Sequence, residues 1–233
     1  MLEILKEHFP NIAYKKRSYA FKSLIDVSCS HEFLYRGLIR GFSGFILDFV
    51  NLRFKRILNR SSVLLGFKKD PFDNFEYLNI LHKKYRIKPI FFFQFAKYGT
   101  YDKNVSPYNR KFQTLIKSVS DFAVVGLEAS YSSFEHPSEL DQEKKGLSEV
   151  VHRPIKSVRT RYNRIDIPKT YNELVEVEFS RDYSMGYTFA PGFRAGTCTP
   201  FYFYDIQLEV RHPIKIHPFA IQDYSLLKEK SVS

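Results

Sequence analysis

The sequence predicts an α/β protein whose mostly parallel sheet rolls into an irregular (β/α) barrel. Three observations carry that reading. Along the 233 residues, short apolar runs alternate with amphipathic stretches of helical spacing, the order produced by parallel strands joined through right-handed crossovers. One run, within IKPIFFFQF at residues 87–95, is apolar without interruption, as expected for a strand covered on both faces. Several runs also end on charged residues, which a barrel would gather at the carboxyl ends of its strands. No repeat, low-complexity stretch or linker divides the chain, so one large domain is expected.

The elements follow in order. Residues 21–27, FKSLIDV, read as a strand delivering Asp26. A basic amphipathic stretch covers residues 33–60. KDPFDNFEYLNILHKKY reads as a helix capped by Asp70, with Pro71 at its first position, Asp73 and Glu76 near the start and Lys83 and Lys84 near the end. SPYNRKFQTLIKSVSD is helical, with Phe112, Leu115, Ile116 and Val119 on one stripe. FAVVGL is a strand reaching Glu128. SELDQEKKGLSEVV opens on a capping pattern, Ser138 followed by Asp141. IKSVRTRY is a strand carrying Arg159 and Arg161, and PKTYNELVEV a helix. After Asp182 come a loop containing glycine and a last strand, IKIHPFAIQ, ending near Asp223.

Composition narrows the classes. The formal charge of +11 favours anionic partners, yet the basic residues are scattered, and a solvated basic surface is the plainer reading. The densest cluster, NLRFKRILNR at residues 51–60, fits a surface helix with one buried face, or a helix lying on a membrane. The chain has 23 Phe and 16 Tyr but no Trp, which means an aromatic core with some rings free to stack on sugars or bases. Two cysteines, Cys29 and Cys198, cannot build a disulfide framework. Glu3 and Glu7 interrupt the start where an export signal needs an apolar core, and no apolar run approaches the ~18 residues of a membrane span. A cytoplasmic protein is expected.

The stretches KKDPFD, YDKNVSPYNRKFQTLIKSVSDFAVVGLEASYSSF, RDYSMGY, GFRAGTCTPFYFYD and HPFAIQD resemble the polysaccharide deacetylase (NodB-homology, carbohydrate esterase) family, in a form common in Bacteroidetes-type bacteria. The resemblance runs from about Phe21 to Leu226. It divides the chain into an N-terminal extension (1–20), the barrel domain (21–226) and a tail (227–233). It implies a distorted (β/α) barrel, a divalent metal, usually zinc, and hydrolysis of acetyl groups from N-acetylated sugars. Members of this form often carry a further N-terminal region that this chain lacks.

In that family the first strand ends in Asp-x-Asp; here Asp26 matches the general base and Ser28 replaces the metal carboxylate. Gly-Leu-His-Pro-Ser-Tyr becomes Gly126-Leu127-Glu128-Ala129-Ser130-Tyr131, and Arg-Gln-His becomes Arg159-Thr160-Arg161. The resemblance therefore implies Asp26, Arg159, Asp182 and Asp223 as catalytic or supporting groups. It places Tyr131, Tyr187 and Arg194 at the substrate. The metal positions are all substituted, by Ser28, Glu128 and Arg161. An arginine brings a fixed positive charge where a dication would sit, and a Glu128–Arg161 salt bridge filling that place is the expected consequence.

Three readings follow. The first is a catalytically impaired deacetylase homologue, with no cofactor, that binds N-acetylated glycans at its rim, helped by aromatic loops such as residues 201–204. The second is an active enzyme using zinc or another divalent metal through a rearranged set, for instance Asp26, Glu128 and Asp223 with Cys29. The third is a basic module for nucleic acid or a membrane surface, with nucleic acid not expected. A Cys29–His31 nucleophile pair lacks any assurance of contact. Cys29 and Cys198 read as packing residues, and His136, His152, His212 and His217 as surface or loop residues.

Overall fold

The computed structural model describes residues 2–9 and 19–230. Much of the expected N-terminal extension, and the end of the tail, lie outside the described residues. Among the described residues seven strands form one sheet: β1 (Leu24–Val27), β2 (Ile90–Phe93), β3 (Val124–Ala129), β4 (Ser157–Thr160), β5 (Arg181–Asp182), β6 (Phe201–Asp205) and β7 (Val210–Ile216). Their order is β1-β2-β3-β4-β5-β7-β6, parallel except for the antiparallel pair β6–β7. The helices are α1 (Leu2–His8), α2 (Leu38–Val50), α3 (Phe54–Leu64), α4 (Phe75–Lys84), α5 (Arg110–Ser120), α6 (Pro137–Val151), α7 (Lys169–Glu176) and α8 (Asp223–Lys230).

The sheet is strongly rolled. Lys22, just before β1, brings its Nζ to 3.5 Å from Nδ1 of His217, just after β7. Those strands are five places apart in the ladder, so a flat sheet at ~4.8 Å per strand would hold them over 20 Å apart. Phe92 of β2 likewise meets Tyr183, beyond β5, with ring centroids 5.4 Å apart. The ladder runs from β1 to β6, and side chains bridge the gap between β1 and β7.

Strand β2 shows how the sequence makes this shape. Its four residues are all buried, and successive side chains take opposite faces. Phe91 and Phe93 pack outward under the helices, against Phe75 at 6.2 and 6.4 Å. Phe92 points inward and joins Leu24, Ile90 and Tyr183 in a separate inner cluster. Each fully buried ring is worth roughly 1.5–3 kcal/mol, so one strand holds two layers together. Gly126 of β3 leaves room for this inner ring: a Cβ there would lie 2.7 Å from Phe92.

Helix α5 forms where its stripe predicts, with Phe112, Ile116 and Val119 buried; Asn109 Oδ1 accepts from the N–H groups of Lys111 and Phe112. Four local expectations are corrected. Helix α4 begins at Phe75, not Pro71, because Asp70 turns away and accepts from Glu32, Phe33, Leu34 and Phe72 N–H groups. Ser138 lies inside α6, which starts at Pro137 with no side-chain cap. Residues 201–204 belong to strand β6 rather than a loop. Asp223 opens α8 instead of closing a strand.

Candidate functional site

The rim at the carboxyl ends of β1, β3 and β4 collects most of the charged residues the sequence singles out. Glu128 and Arg159 are register partners on β3 and β4. Arg161 follows in the short 3-10 turn at Arg161–Asn163. Arg161 Nη1 donates to Glu128 Oε1 at 2.7 Å. The Ser28 hydroxyl lies 2.8 Å from each Glu128 oxygen and donates to them. Ser28 and Arg161 therefore both bond to Glu128. Beside them, Arg159 Nε reaches Asp26 Oδ2 at 3.1 Å, and its guanidinium lies 4.4 Å from the Phe219 ring centroid.

Burial sets the electrostatics. Desolvation pushes the Glu128 carboxyl up to about 7, and the Asp26 charge adds to this, while Arg161 and Ser28 oppose it. Burial lowers the Arg161 guanidinium, but Glu128 more than compensates and holds it above its usual value. Asp26 remains partly solvated, its side chain 30% exposed. Its carboxyl is raised by burial, with Arg159 and Arg161 pulling down and Asp223 pushing up. Asp182 is wholly buried behind this rim. Ser184 Oγ donates to it at 2.5 Å and Tyr171 at 3.4 Å, and burial raises it to about 6.

The donor set does not fit a metal. Among the described residues, no group of three or more His, Cys, Asp or Glu side chains is placed to hold an ion. Glu128 is committed to Arg161 and Ser28, and a guanidinium is not deprotonated in proteins. Cys29 does not complete a set: its Sγ meets the His31 carbonyl at 3.0 Å and Arg36 at 3.3 Å.

No protein-family model and no curated protein matches the chain. Solved structures do. A polysaccharide deacetylase from Mycobacterium smegmatis superposes with a TM-score of 0.50 at 12% identity, covering 84% of this chain and 56% of that one. The fold is that of the polysaccharide deacetylases. Weaker matches include Streptococcus pyogenes deacetylase PplD in complex with acetate (TM-score 0.40, 12% identity, 67% of this chain and 64% of that). Another is the BpsB deacetylase domain from Bordetella bronchiseptica (TM-score 0.38, 9% identity, 85% and 94%). The chain spans about half the length of the mycobacterial protein.

Around the mouth of this deacetylase fold stands an aromatic group only partly foreseen. Tyr131 packs against Tyr101 at a tilt, with centroids 4.3 Å apart, and meets Tyr162 edge-on at 6.1 Å. Arg164 covers Tyr131 at 4.1 Å and Arg161 covers Tyr162 at 4.8 Å. Tyr101 and Tyr162 are about half exposed, and Arg161 Nη2 donates to the Tyr101 carbonyl at 3.4 Å. Sequence reasoning found Tyr131 and missed both companions. It also missed Asp102, buried below the cluster, which accepts from Gln94 and from the N–H groups of Tyr131 and Ser132 and so fixes the Tyr131 turn.

The remaining expected residues are more dispersed. Tyr187 is exposed between Gly186, pressed against Phe219, and Thr188, whose hydroxyl accepts from Asn163. Arg194 donates to the Asn163 carbonyl at 3.3 Å and so supports the turn carrying Tyr162. Asp223 accepts from the Tyr224 N–H and influences Asp26 through charge. Cys198 is exposed, not packed. His212 lies on β7 and His217 just beyond it, both half-buried. His217 stacks on Tyr183 at 4.6 Å, and burial with Lys22, Lys215 and Arg181 nearby holds it down at about 4.

Proposed function

We propose that this chain is a deacetylase-fold protein that binds an N-acetylated glycan at its mouth without the metal-dependent hydrolytic step of the family. The observation that carries this reading is the Ser28–Glu128–Arg161 network. Acetamide hydrolysis needs an electrophile that polarises the carbonyl and activates water; in this family a metal supplies both. Here a permanent cation and its carboxylate partner occupy the substituted positions. Asp26 could accept a proton, and it pairs with Arg159. Asp182 is buried and bonded to Ser184 and Tyr171.

What remains suits recognition. The exposed faces of Tyr101 and Tyr162, with Tyr131 between them, offer stacking surfaces to a sugar ring, and Arg161 and Arg164 offer donors at their edges. The test has two arms. Calorimetry with N-acetylglucosamine oligomers should show saturable binding that a Tyr131→Ala substitution weakens by about tenfold, the loss of ~1.4 kcal/mol. Zinc and cobalt titrations should show no stoichiometric uptake, and acetate release should stay at background with either ion. A gain of metal binding by a Ser28→Asp, Glu128→His, Arg161→His variant would support the positional assignment. Acetate release that grows with added zinc would overturn the proposal and establish the active-enzyme reading.

A further inference from the structure

We propose that the α2–α3 hairpin docks the protein onto the surface of an anionic phospholipid bilayer. This inference is independent of what the barrel mouth binds.

The hairpin is inside-out. A helix on a globular protein normally turns its apolar stripe inward and its charges outward. Among the described side chains of α2 the buried one is Asp48, while Phe42, Ile46, Leu47, Phe49 and Val50 are all exposed. In α3 the buried residues are Arg60 and Val63, while Phe54 and Leu58 face out. The exposures are large: 69% for Phe42, 65% for Phe49 and 68% for Leu58. Past α3, Leu65 and Phe67 extend the same character. A contiguous apolar face on this scale marks an interaction site.

The arrangement is held from inside. Arg60 Nη2 binds Asp48 Oδ2 at 2.6 Å, and its guanidinium lies 4.9 Å from the Phe33 ring centroid and 5.3 Å from that of Phe45. Gly44 makes space for it, since a Cβ there would lie 2.4 Å from Arg60 Nη1. The polar clasp thus joins the two helices and takes inward positions that apolar residues would otherwise fill. A groove of about 950 Å³, lined by Phe33, Phe45, Ile46 and Leu64 among others, opens beside them.

Charge selects the occupant. Residues 33–69 hold eight lysines and arginines and a single acid, so about a sixth of the chain carries +7 of its +11, with Arg56 and Lys69 also paired to Glu32 and Asp73 at the segment's edges. The one acid, Asp48, is buried against Arg60 and Arg56. A second copy of this face would set one such cationic surface against another. An anionic membrane satisfies both properties at once: basic side chains meet the lipid phosphates, and the apolar residues enter the acyl boundary. With 13 and 11 residues, each helix is too short for the ~20 residues needed to cross. The geometry is therefore that of a helix pair lying in the interface.

The experiment is co-sedimentation of the full chain with vesicles of equimolar phosphatidylglycerol and phosphatidylcholine, and with phosphatidylcholine alone. Binding is expected to the anionic vesicles, falling steeply as salt rises. A Phe42→Ser, Phe49→Ser, Leu58→Ser variant should bind at least about tenfold more weakly, with an unchanged circular dichroism spectrum. Because the chain has no tryptophan, a Phe49→Trp variant gives a second readout that does not depend on the triple variant folding. Its emission should shift to the blue with anionic vesicles only. The proposal is overturned by any of three results: no sedimentation at low salt, an unshifted Phe49→Trp emission, or self-association in solution that the triple variant abolishes while vesicle binding persists.

Discussion

At the level of single residues, the Glu128–Arg161 pair ties β3 to the turn that follows β4. Its existence was legible, because two substitutions of opposite charge fell at positions the family resemblance brings together. Ser28 was legible only as a loss; its bonds to both Glu128 oxygens depend on the approach of β1 and β3, which no local pattern records. Tyr101 and Tyr162 were missed for the same reason, lying in irregular segments that only the fold assembles around Tyr131. The pair gives a first prediction. An Arg161→Met substitution leaves Glu128 buried without its cation, a change that costs about 3–5 kcal/mol when the remaining charge cannot escape. Glu128 can escape by taking a proton, since burial already lifts its carboxyl to about 7 and the substitution removes an opposing charge. The loss should therefore be largest at pH 8 and smallest near pH 4.5, where the folded chain already holds Glu128 protonated. Urea unfolding at the two pH values measures this directly; an equal loss at both would mean that Glu128 does not titrate with folding.

Among the elements, the ones decided by local chemistry were the readable ones. The apolar run of β2 and the stripe of α5 needed only periodicity, and both formed where expected. Strand β6 was hidden because Phe201, Tyr202, Phe203 and Tyr204 are all aromatic: its alternation of exposed and buried residues leaves no trace in hydrophobicity. The start of α4 was misplaced because Asp70 has the chemistry of a cap but finds partners nearly forty residues away. Those partners make a second prediction. Asp70 Oδ1 and Oδ2 accept from the N–H groups of Glu32, Phe33, Leu34 and Phe72 at 2.7–3.1 Å. Replacing it with alanine orphans several amides and should cost about 2–4 kcal/mol, whereas Asp70→Asn, which keeps an acceptor, should cost less. Burial alone would raise the Asp70 carboxyl, but the amide donors together hold it below its usual value. Its contribution is thus present at neutral pH and lost on acidification. A third prediction concerns the sheet: a Gly126→Ala methyl would meet Phe92 at 2.7 Å and the Ser157 carbonyl at 3.0 Å. Backbone cannot yield cheaply, so a loss of about 1–3 kcal/mol is expected by chemical denaturation.

Over the whole molecule, the buried carboxyls should set the pH dependence of stability. Glu128 and Glu143 are pushed by burial to about 7 and Asp182 to about 6, each above its ordinary value. A raised carboxyl means that the folded chain binds more protons than the unfolded one, so stability is greatest below the unfolded values and falls as pH rises through the folded ones. His217 works the other way: held at about 4, it stays neutral when folded while the unfolded chain takes a proton, which favours higher pH up to about 6.5. Three carboxyls against this imidazole leave a net decline between about pH 4.5 and 7. Glu143 isolates one component, because it lies on α6, 6% exposed, accepting from the Ser130 N–H at 3.2 Å and forming no salt bridge among the described residues. Glutamine in its place keeps the acceptor and removes the titration. The Glu143→Gln variant should match the parent near pH 4.5 and exceed it by about 2–3 kcal/mol at pH 8. Paired denaturation curves across that range provide the measurement. A parent that gains on the variant as pH rises would show Glu143 ionised and partnered in the fold, reversing the sign of its contribution.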